Sequence, residues 1–105
     1  MNQYHVYIMM NIKNTVNYTG ITSDIYVRVW QHKTRKYEDS FTAKYYIDKL
    51  VYFEEYNDIN EAITREKQIK GLSRNKKILI IKKLNPTLKD LSEGWYDNEN
   101  KKMKK

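Results

Sequence analysis

Apolar and polar residues alternate with a period of two near the start of the chain, which is typical of β-strands. One such run covers residues 4–10, a polar turn follows at residues 13–15, and a second β-rich run covers residues 16–19. Two runs of this kind joined by a short turn predict a β-hairpin. A third run, over residues 49–56, is continuously apolar near its centre, as is typical of a central strand.

Two tyrosines are brought together by the predicted hairpin. Tyr7 lies on its first strand and Tyr18 on its second, in positions that are opposite or diagonal. Gly20 is predicted to end the second strand, because a side chain there would obstruct a close backbone approach. The alternative is that both tyrosines serve packing alone, since the chain has ten of them.

Three further stretches repeat their apolar residues with the period of a helix. The first begins at a hydroxyl cap candidate, Thr22 or Ser23, has Asp24 in its first turn and extends to about residue 36. The second covers residues 59–70, and the third covers residues 74–84. Gly71 is predicted to end the second helix. The residues predicted to face the core are Ile25, Tyr26, Val29 and Trp30 in the first helix, Ile59, Ala62, Ile63 and Ile69 in the second, and Ile78, Ile81 and Leu84 in the third.

The predicted elements follow the order ββαβαα, which indicates an α+β fold with a small sheet and flanking helices. Residues 37–45 show no period and are predicted to form a loop that carries Lys44. A length of 105 residues suits one domain. We expect this domain to cover residues 1–96, with an ordered segment at residues 90–95, and we expect the charged residues 97–105 to form a disordered tail.

The composition narrows the classes of function. Twenty Lys and Arg residues against thirteen Asp and Glu residues give a net charge of +7 and a pI near 9.5. A basic domain of this size attracts nucleic acid first and anionic membrane second, although a basic surface can also serve solubility alone. The absence of cysteine excludes disulfides and thiolate metal sites. No apolar run is long enough to span a bilayer and no secretory signal is recognisable, so we expect a cytoplasmic protein.

Glu66 is a carboxylate that the helical pattern places among apolar residues. It lies four residues after Ala62 and three residues before Ile69, within the apolar stripe of its helix. A carboxylate in that position must be paired, hydrogen-bonded or bound to a metal, because burying it bare is costly. The alternative to a metal site is a salt bridge to a nearby Lys or Arg, or a place at the edge of the stripe.

Arg28 and His32 lie four residues apart and therefore share one face of the first helix. The arginine is suited to a phosphate oxygen and to the charge that develops during phosphodiester hydrolysis. The histidine is placed to orient a tyrosine hydroxyl or to relay a proton. A solvated helix face is the alternative for both. A tyrosine acts as a base only if nearby cations lower its pKa from about 10, and Arg28 is such a cation.

The chain shows one well-placed carboxylate and no cluster of His and Cys. It therefore disfavours a two-metal nuclease site and favours one Mg²⁺ (or Mn²⁺) ion held by that carboxylate, water and a substrate phosphate. No phosphate-binding glycine loop, nucleophile elbow or dinucleotide fingerprint is present. Basic residues predict a DNA-binding surface. They are Lys33, Arg35, Lys44, Lys67, Lys70 and Arg74.

Taken in order, these residues resemble the GIY-YIG nucleases, and more narrowly the short single-domain proteins of that superfamily. The matching residues are His5-Val6-Tyr7 for the first half-motif, Tyr18-Thr19-Gly20 for the second, and Arg28, His32 and Glu66 for the arginine, histidine and glutamate that follow. Residues 49–52 and 85–95 are also similar to the pattern of the short subgroup. The resemblance covers nearly the whole chain, from about residue 4 to residue 95.

The resemblance implies a three-stranded antiparallel sheet flanked by helices, and a metal-dependent endonuclease or nickase. Its partner would be DNA that is branched, nicked or single-stranded. By that analogy Glu66 holds the metal ion, Arg28 binds the phosphate, and Tyr7 or Tyr18 assists the attacking water. One departure bears on the activity, because Ile21 stands where excision-repair relatives carry a lysine.

Two alternatives to an endonuclease remain open. The first is a DNA-binding module of the same fold with little or no turnover, which the missing lysine favours. The second is a protein-interaction domain with no role on nucleic acid.

Overall fold

Three antiparallel strands form one sheet in the computed structural model, which describes residues 3–97. The strands are β1 (Tyr4–Met10), β2 (Asn17–Thr22) and β3 (Lys49–Tyr56), in the spatial order β2-β1-β3. The predicted three-stranded antiparallel sheet is therefore confirmed. The expectation that the third strand is central is wrong, because β1 pairs with both neighbours and β3 lies at an edge. The apolar run in β3 reflects burial on both faces of the sheet, not a central position.

Strand β2 continues to Thr22, two residues beyond the end that the sequence predicts at Gly20. Gly20 pairs with Tyr7, and Tyr18 pairs with Met9, so the two tyrosines are diagonal neighbours. This confirms one of the two predicted arrangements. The turn between β1 and β2 contains Asn14 at a φ of 57°, a conformation that asparagine tolerates better than most residues.

Four helices accompany the sheet in the described part of the chain. They are α1 (Ile25–Lys33), α2 (Phe41–Lys44), α3 (Ile59–Lys70) and α4 (Arg74–Leu84). Helices α3 and α4 start where the sequence predicts, whereas α1 starts after Asp24, which the sequence places inside the first turn and not at the cap. Each of the three starts at a side-chain oxygen that accepts a backbone N–H of the first turn. The capping residues are Asp24 in α1, Asp58 in α3 and Ser73 in α4.

Two boundaries between residues 33 and 45 differ from the prediction. Helix α1 ends at Lys33 instead of near residue 36. Arg35 has a positive φ of 52°, a backbone conformation that is incompatible with a right-handed helix. The predicted loop at residues 37–45 contains the one-turn helix α2. Its start is fixed by Ser40 Oγ, which accepts the N–H of Ala43 at 3.2 Å. A single turn is too short to show an apolar period, so the pattern could not predict it.

Helices cover both faces of the sheet, so β1 is buried on both sides. One face packs Val6, Ile8 and Met10 against α3 and α4. The opposite face packs Tyr7 and Met9 against α1 and the C-terminal segment. Alternate residues of β1 therefore face two different buried clusters. In a strand with one exposed face, alternate residues would face a core and solvent.

Several side chains predicted to face the core are exposed. Helix α3 contacts the sheet through Ala62 and Ile69, which are fully buried, whereas Ile59 and Ile63 lie to one side of that contact line and are exposed. Leu84 is 75% exposed. It is the last residue of α4, and the buried position next to it is taken by Asn85.

Buried polar side chains tie the segment after α4 to the sheet. Asn85 Nδ2 donates to the carbonyl oxygen of Val51 at 3.0 Å. Val51 is the extra residue of a β-bulge in β3. Asp90 accepts the N–H of Leu50 (3.2 Å) and pairs with Lys33 Nζ at 2.5 Å. Burial alone would raise the pKa of Asp90, but hydrogen bonds from Lys33 and Ser92 outweigh it and lower that pKa. The segment therefore belongs to the domain.

Trp95 anchors the end of this segment on α1. Its ring stacks on that of Tyr26 with 6.3 Å between centroids and 17° between planes, and Tyr26 Oη donates to its carbonyl. This agrees with the ordered segment predicted at residues 90–95. Tyr26 lies at the edge of the core, where the sequence predicts a buried position, and it stays partly exposed.

Residues 98–105 lie outside the described residues, so the predicted boundary between the domain and its tail stays a prediction. Within residues 3–97, no helix has the length and apolar character needed to cross a membrane.

Candidate functional site

Tyr7 occupies the space that Gly20 leaves open on strand β2. A Cβ atom on Gly20 would lie 2.6 Å from the Tyr7 hydroxyl oxygen and 2.7 Å from its Cζ atom. Both distances are well inside van der Waals contact, so the position requires glycine. The sequence predicts a close approach at Gly20, but the approaching group is the Tyr7 side chain and not a backbone.

The Tyr7 hydroxyl is held by both of the predicted site residues on α1. Arg28 Nε donates to Tyr7 Oη at 3.4 Å, and Tyr7 Oη lies 3.0 Å from His32 Nε2. Arg28 and His32 therefore share a helix face, as their spacing predicts. Tyr18 lies beside them, with its ring centroid 6.3 Å from that of Tyr7 and 5.6 Å from that of His32.

Thr42 and Ser40 extend this line of hydrogen bonds, and sequence reasoning missed both. His32 Nδ1 lies 3.0 Å from Thr42 Oγ1, which lies 3.3 Å from Ser40 Oγ. Thr42 is buried on the one-turn helix α2, so it fixes the orientation of the His32 ring. Ser40 could have been recognised from the sequence as the cap of a short helix at residues 41–44.

Burial disfavours charge on the two groups at the centre of this line. It raises the pKa of Tyr7 to about 12, although the hydrogen bond from Arg28 acts in the opposite direction. Burial, helped by the charge of Arg28, lowers the pKa of His32 to about 4. Near neutral pH a phenol therefore faces a neutral imidazole. Arg28 alone does not bring the pKa of Tyr7 below its usual value.

The low pKa of His32 predicts a loss of stability in acid. The unfolded chain binds a proton at His32 near pH 6.5, whereas the folded protein binds it only near pH 4. This contribution to the free energy of unfolding is complete above pH 6.5 and is lost as the pH falls toward 4, by roughly 2–3 kcal/mol. Urea unfolding at the two ends of this range measures the loss. Glutamine does not titrate in this pH range, so the free energy of unfolding of His32→Gln is expected to fall by about 2–3 kcal/mol less than that of the wild type. Equal losses in the two proteins would contradict the low pKa of His32.

Glu66 lies on α3 with a side chain that is 15% exposed. Its Oε2 atom is 3.3 Å from Lys70 Nζ, one turn further on, so the salt bridge that the sequence offers as an alternative is present. Lys70 is half exposed, and such a pair contributes only about 0.3–0.5 kcal/mol. The charge of Glu66 also contributes, after burial and the charge of Tyr18, to raising the pKa of Tyr7.

The donor atoms around Glu66 fit a single ion of the magnesium type. Residues 3–97 contain no group of three or more His, Cys, Asp or Glu side chains that could hold a metal ion by themselves. Mg²⁺ is often held by one or two carboxylates, with water and substrate phosphate as its other ligands. Glu66 offers one such carboxylate.

The six basic residues predicted to bind DNA fall into two sets. Contacts within the protein engage Lys33 with Asp90, Arg35 with Asp48, and Arg74 with the carbonyls of Asn14 and Thr15. The remaining three, Lys44, Lys67 and Lys70, are exposed, and Lys70 also pairs with Glu66. The first set has a structural role whatever else it binds, and the DNA contacts of all six stay a prediction.

Ile21 fills the position after Gly20 with an apolar contact. It pairs with Val6 across β1 and β2 and packs on the core shared with α3 and α4. Ile21 therefore serves packing at this position.

Comparisons with known proteins match most of this chain. The family model described as the GIY-YIG catalytic domain matches residues 3–79. A UPF0213 protein of Syntrophus aciditrophicus is 36% identical over 82 residues, which cover 78% of this chain and 93% of that protein. One from Clostridium perfringens is 34% identical over 99 residues, or 90% of this chain and 95% of that protein. The solution NMR structure of a UPF0213 protein from Bacillus halodurans matches with a TM-score of 0.54 and 25% identity, covering 88% of this chain and 97% of that one.

Proposed function

Because the chain belongs to the GIY-YIG family of nuclease domains, we propose that it is a DNA endonuclease or nickase that uses one divalent metal ion. The observation that carries the proposal is the convergence of four residues from three elements, β1, α1 and α3. Tyr7 and Arg28 meet in one hydrogen bond, His32 bonds the same hydroxyl, and Glu66 acts on that tyrosine through its charge.

Arg28 binds the phosphate of the scissile bond in this proposal. Its guanidinium stays charged, because the hydrogen bond to Tyr7 raises its pKa. It lines a cavity of about 160 Å³ together with Tyr18 and His32. A guanidinium beside an open cavity is suited to phosphate oxygens, and it stabilises the negative charge that grows on them during hydrolysis.

Tyr7 or Tyr18 assists the attacking water in this proposal. Tyr18 lines the cavity beside Arg28 and is placed to contact that water, whereas Tyr7 is fully buried. Tyr7 holds Arg28 and His32 in place through the hydrogen bonds at its hydroxyl, at 3.4 Å and 3.0 Å. Thr42 bonds Nδ1 on the other side of the His32 ring, so the ring does not rotate away.

Glu66 is the residue that would hold the metal ion. When bound, the ion lowers the pKa of water and offsets charge on the phosphate. The partial burial of Glu66 restricts its carboxylate to few orientations, and its pairing with an exposed lysine leaves that carboxylate available to a stronger cation.

The proposal is tested by incubating the purified protein with nicked, flapped, single-stranded and supercoiled DNA in Mg²⁺ or Mn²⁺. Arg28→Met is expected to lower cutting of the best substrate by about 100-fold or more, because the phosphate loses its charged partner. Lys82→Met, which removes an exposed charge on α4, is the matched control and is expected to cut normally. Equal cutting by wild type and Arg28→Met would mean that a contaminating nuclease acts.

A DNA-binding module without useful turnover is the second candidate. Two observations favour it, namely the high pKa of Tyr7 and the packing role of Ile21. Such a module would bind DNA with an affinity that falls steeply as the salt concentration rises. It would leave every DNA in the panel intact with either metal ion.

A further inference from the structure

Residues 37–46 expose four aromatic side chains next to the proposed site. The exposed fractions are 53% for Tyr37, 50% for Phe41, 44% for Tyr45 and 62% for Tyr46. Phe41 and Tyr45 lie side by side with 4.9 Å between ring centroids. Leaving this much aromatic surface in water is unfavourable, and exposed aromatic side chains grouped in one short segment mark a binding surface more often than chance.

A positively charged side chain lies over each of three of these rings. Arg35 lies 4.3 Å from the centroid of the Tyr46 ring, and lysine ammonium groups lie within 6 Å of the other two. Those pairs are Lys36 with Tyr37 and Lys44 with Tyr45. Aromatic faces alternating with positive charges match the two parts of a nucleotide, because the rings stack on bases and the cations attract the backbone.

The cavity beside Arg28 connects the patch to the proposed site. Tyr37 and Phe41 line it together with Arg28, His32 and Tyr18. Its volume of about 160 Å³ is small compared with the roughly 300–1,000 Å³ that drug-sized ligands occupy. It is therefore suited to one flat ring next to a phosphate, not to a larger molecule.

We propose that Tyr37 and Phe41 stack on an unpaired nucleobase next to the phosphate that Arg28 binds. The ligand is a single strand or a locally unpaired stretch of nucleic acid, because the faces of bases inside a duplex are already covered by their neighbours. This inference rests on the proposed function for the place of the phosphate. It assigns a role to α2 and the turn before it, which the sequence predicts only as a loop.

Binding without metal tests this inference separately from cutting. Fluorescence anisotropy in EDTA compares a labelled oligothymidine strand with a duplex of the same length. The double variant Tyr37→Leu/Phe41→Leu keeps apolar bulk but loses both ring faces. It is expected to bind the single strand about 10-fold or more weakly, while its affinity for the duplex changes less than about two-fold.

Two further variants separate stacking from other roles of the patch. Tyr37→Phe/Phe41→Tyr keeps both rings and is expected to bind like the wild type. Leu79→Ala, which alters an exposed apolar residue on α4, is expected to have no effect. Equal losses for single strand and duplex, or no loss for either, would overturn the inference. If the wild type prefers the single strand through these rings but cuts no DNA, the inference stands and the proposed nuclease activity fails.

Discussion

Replacing Glu66 by glutamine is expected to lower the rate of DNA cutting by about 100-fold or more while the protein stays folded. Glutamine keeps the size of the side chain but loses the charge that a hard cation requires. A bound metal ion contributes several kcal/mol to the stability of the transition state, and each 1.4 kcal/mol is a factor of ten in rate. Single-turnover cutting at saturating Mg²⁺ measures the effect, and thermal unfolding checks the fold.

Two control variants separate the metal site from the salt bridge at Glu66. Lys70→Gln breaks the pair at 3.3 Å but leaves the carboxylate in place, and Glu61→Gln removes an exposed carboxylate from the first turn of the same helix. Both are expected to cut within a few-fold of the wild type at saturating DNA, where the DNA contact predicted for Lys70 affects affinity and not the rate of the chemical step. If Lys70→Gln lost as much activity as Glu66→Gln, the role of Glu66 would be the ion pair and not the metal.

Replacing Gly20 by alanine is expected to displace Tyr7 and to abolish most of the activity. The added methyl group would lie within 2.7 Å of two Tyr7 atoms, and the ring cannot retreat freely because it is fully buried and its hydroxyl is bonded on two sides. Overpacking of this kind costs about 1–3 kcal/mol of stability. Misplacing a catalytic group by about 1 Å lowers rates by roughly 100-fold.

Gly71→Ala is the matched control for Gly20→Ala. A Cβ atom at Gly71 would make ordinary contacts, the nearest at 3.5 Å, and its φ of −79° is open to alanine. This variant is expected to be unchanged or more stable by up to about 1 kcal/mol, with full activity. Thermal unfolding and cutting assays on both variants give the comparison. Normal cutting by Gly20→Ala would show that the position of the Tyr7 hydroxyl is unimportant.

The elements of the fold could be predicted because each carries a local signal. Strand β1 and helix α3 begin and end where their periods and caps predict. The site residues Arg28 and His32 follow from helix geometry alone, since a spacing of four residues places two side chains on one face. Glu66 could be singled out because a carboxylate within an apolar stripe needs a partner.

The remaining features depend on contacts between distant parts of the chain. The sequence cannot show that β1 lies between β2 and β3, because an apolar run looks the same wherever both faces are covered. The sequence predicts that another group approaches Gly20 closely, but it does not predict that this group is the Tyr7 ring. Thr42 meets His32 through a one-turn helix that has no period to detect. The pKa of Tyr7 rises through burial, which the sequence does not give.

The central claim is that one divalent ion binds at Glu66, beside Tyr7, and Mn²⁺ tests it most directly. Bound Mn²⁺ broadens the NMR signals of nearby backbone amides, and at 12.8 kDa the protein is small enough for their assignment. With an uncleavable DNA strand present, substoichiometric Mn²⁺ is predicted to broaden the amide signals of Glu66, Tyr7 and Gly20 in the wild type but not in Glu66→Gln. Broadening centred elsewhere, or equal broadening in both proteins, would contradict the account.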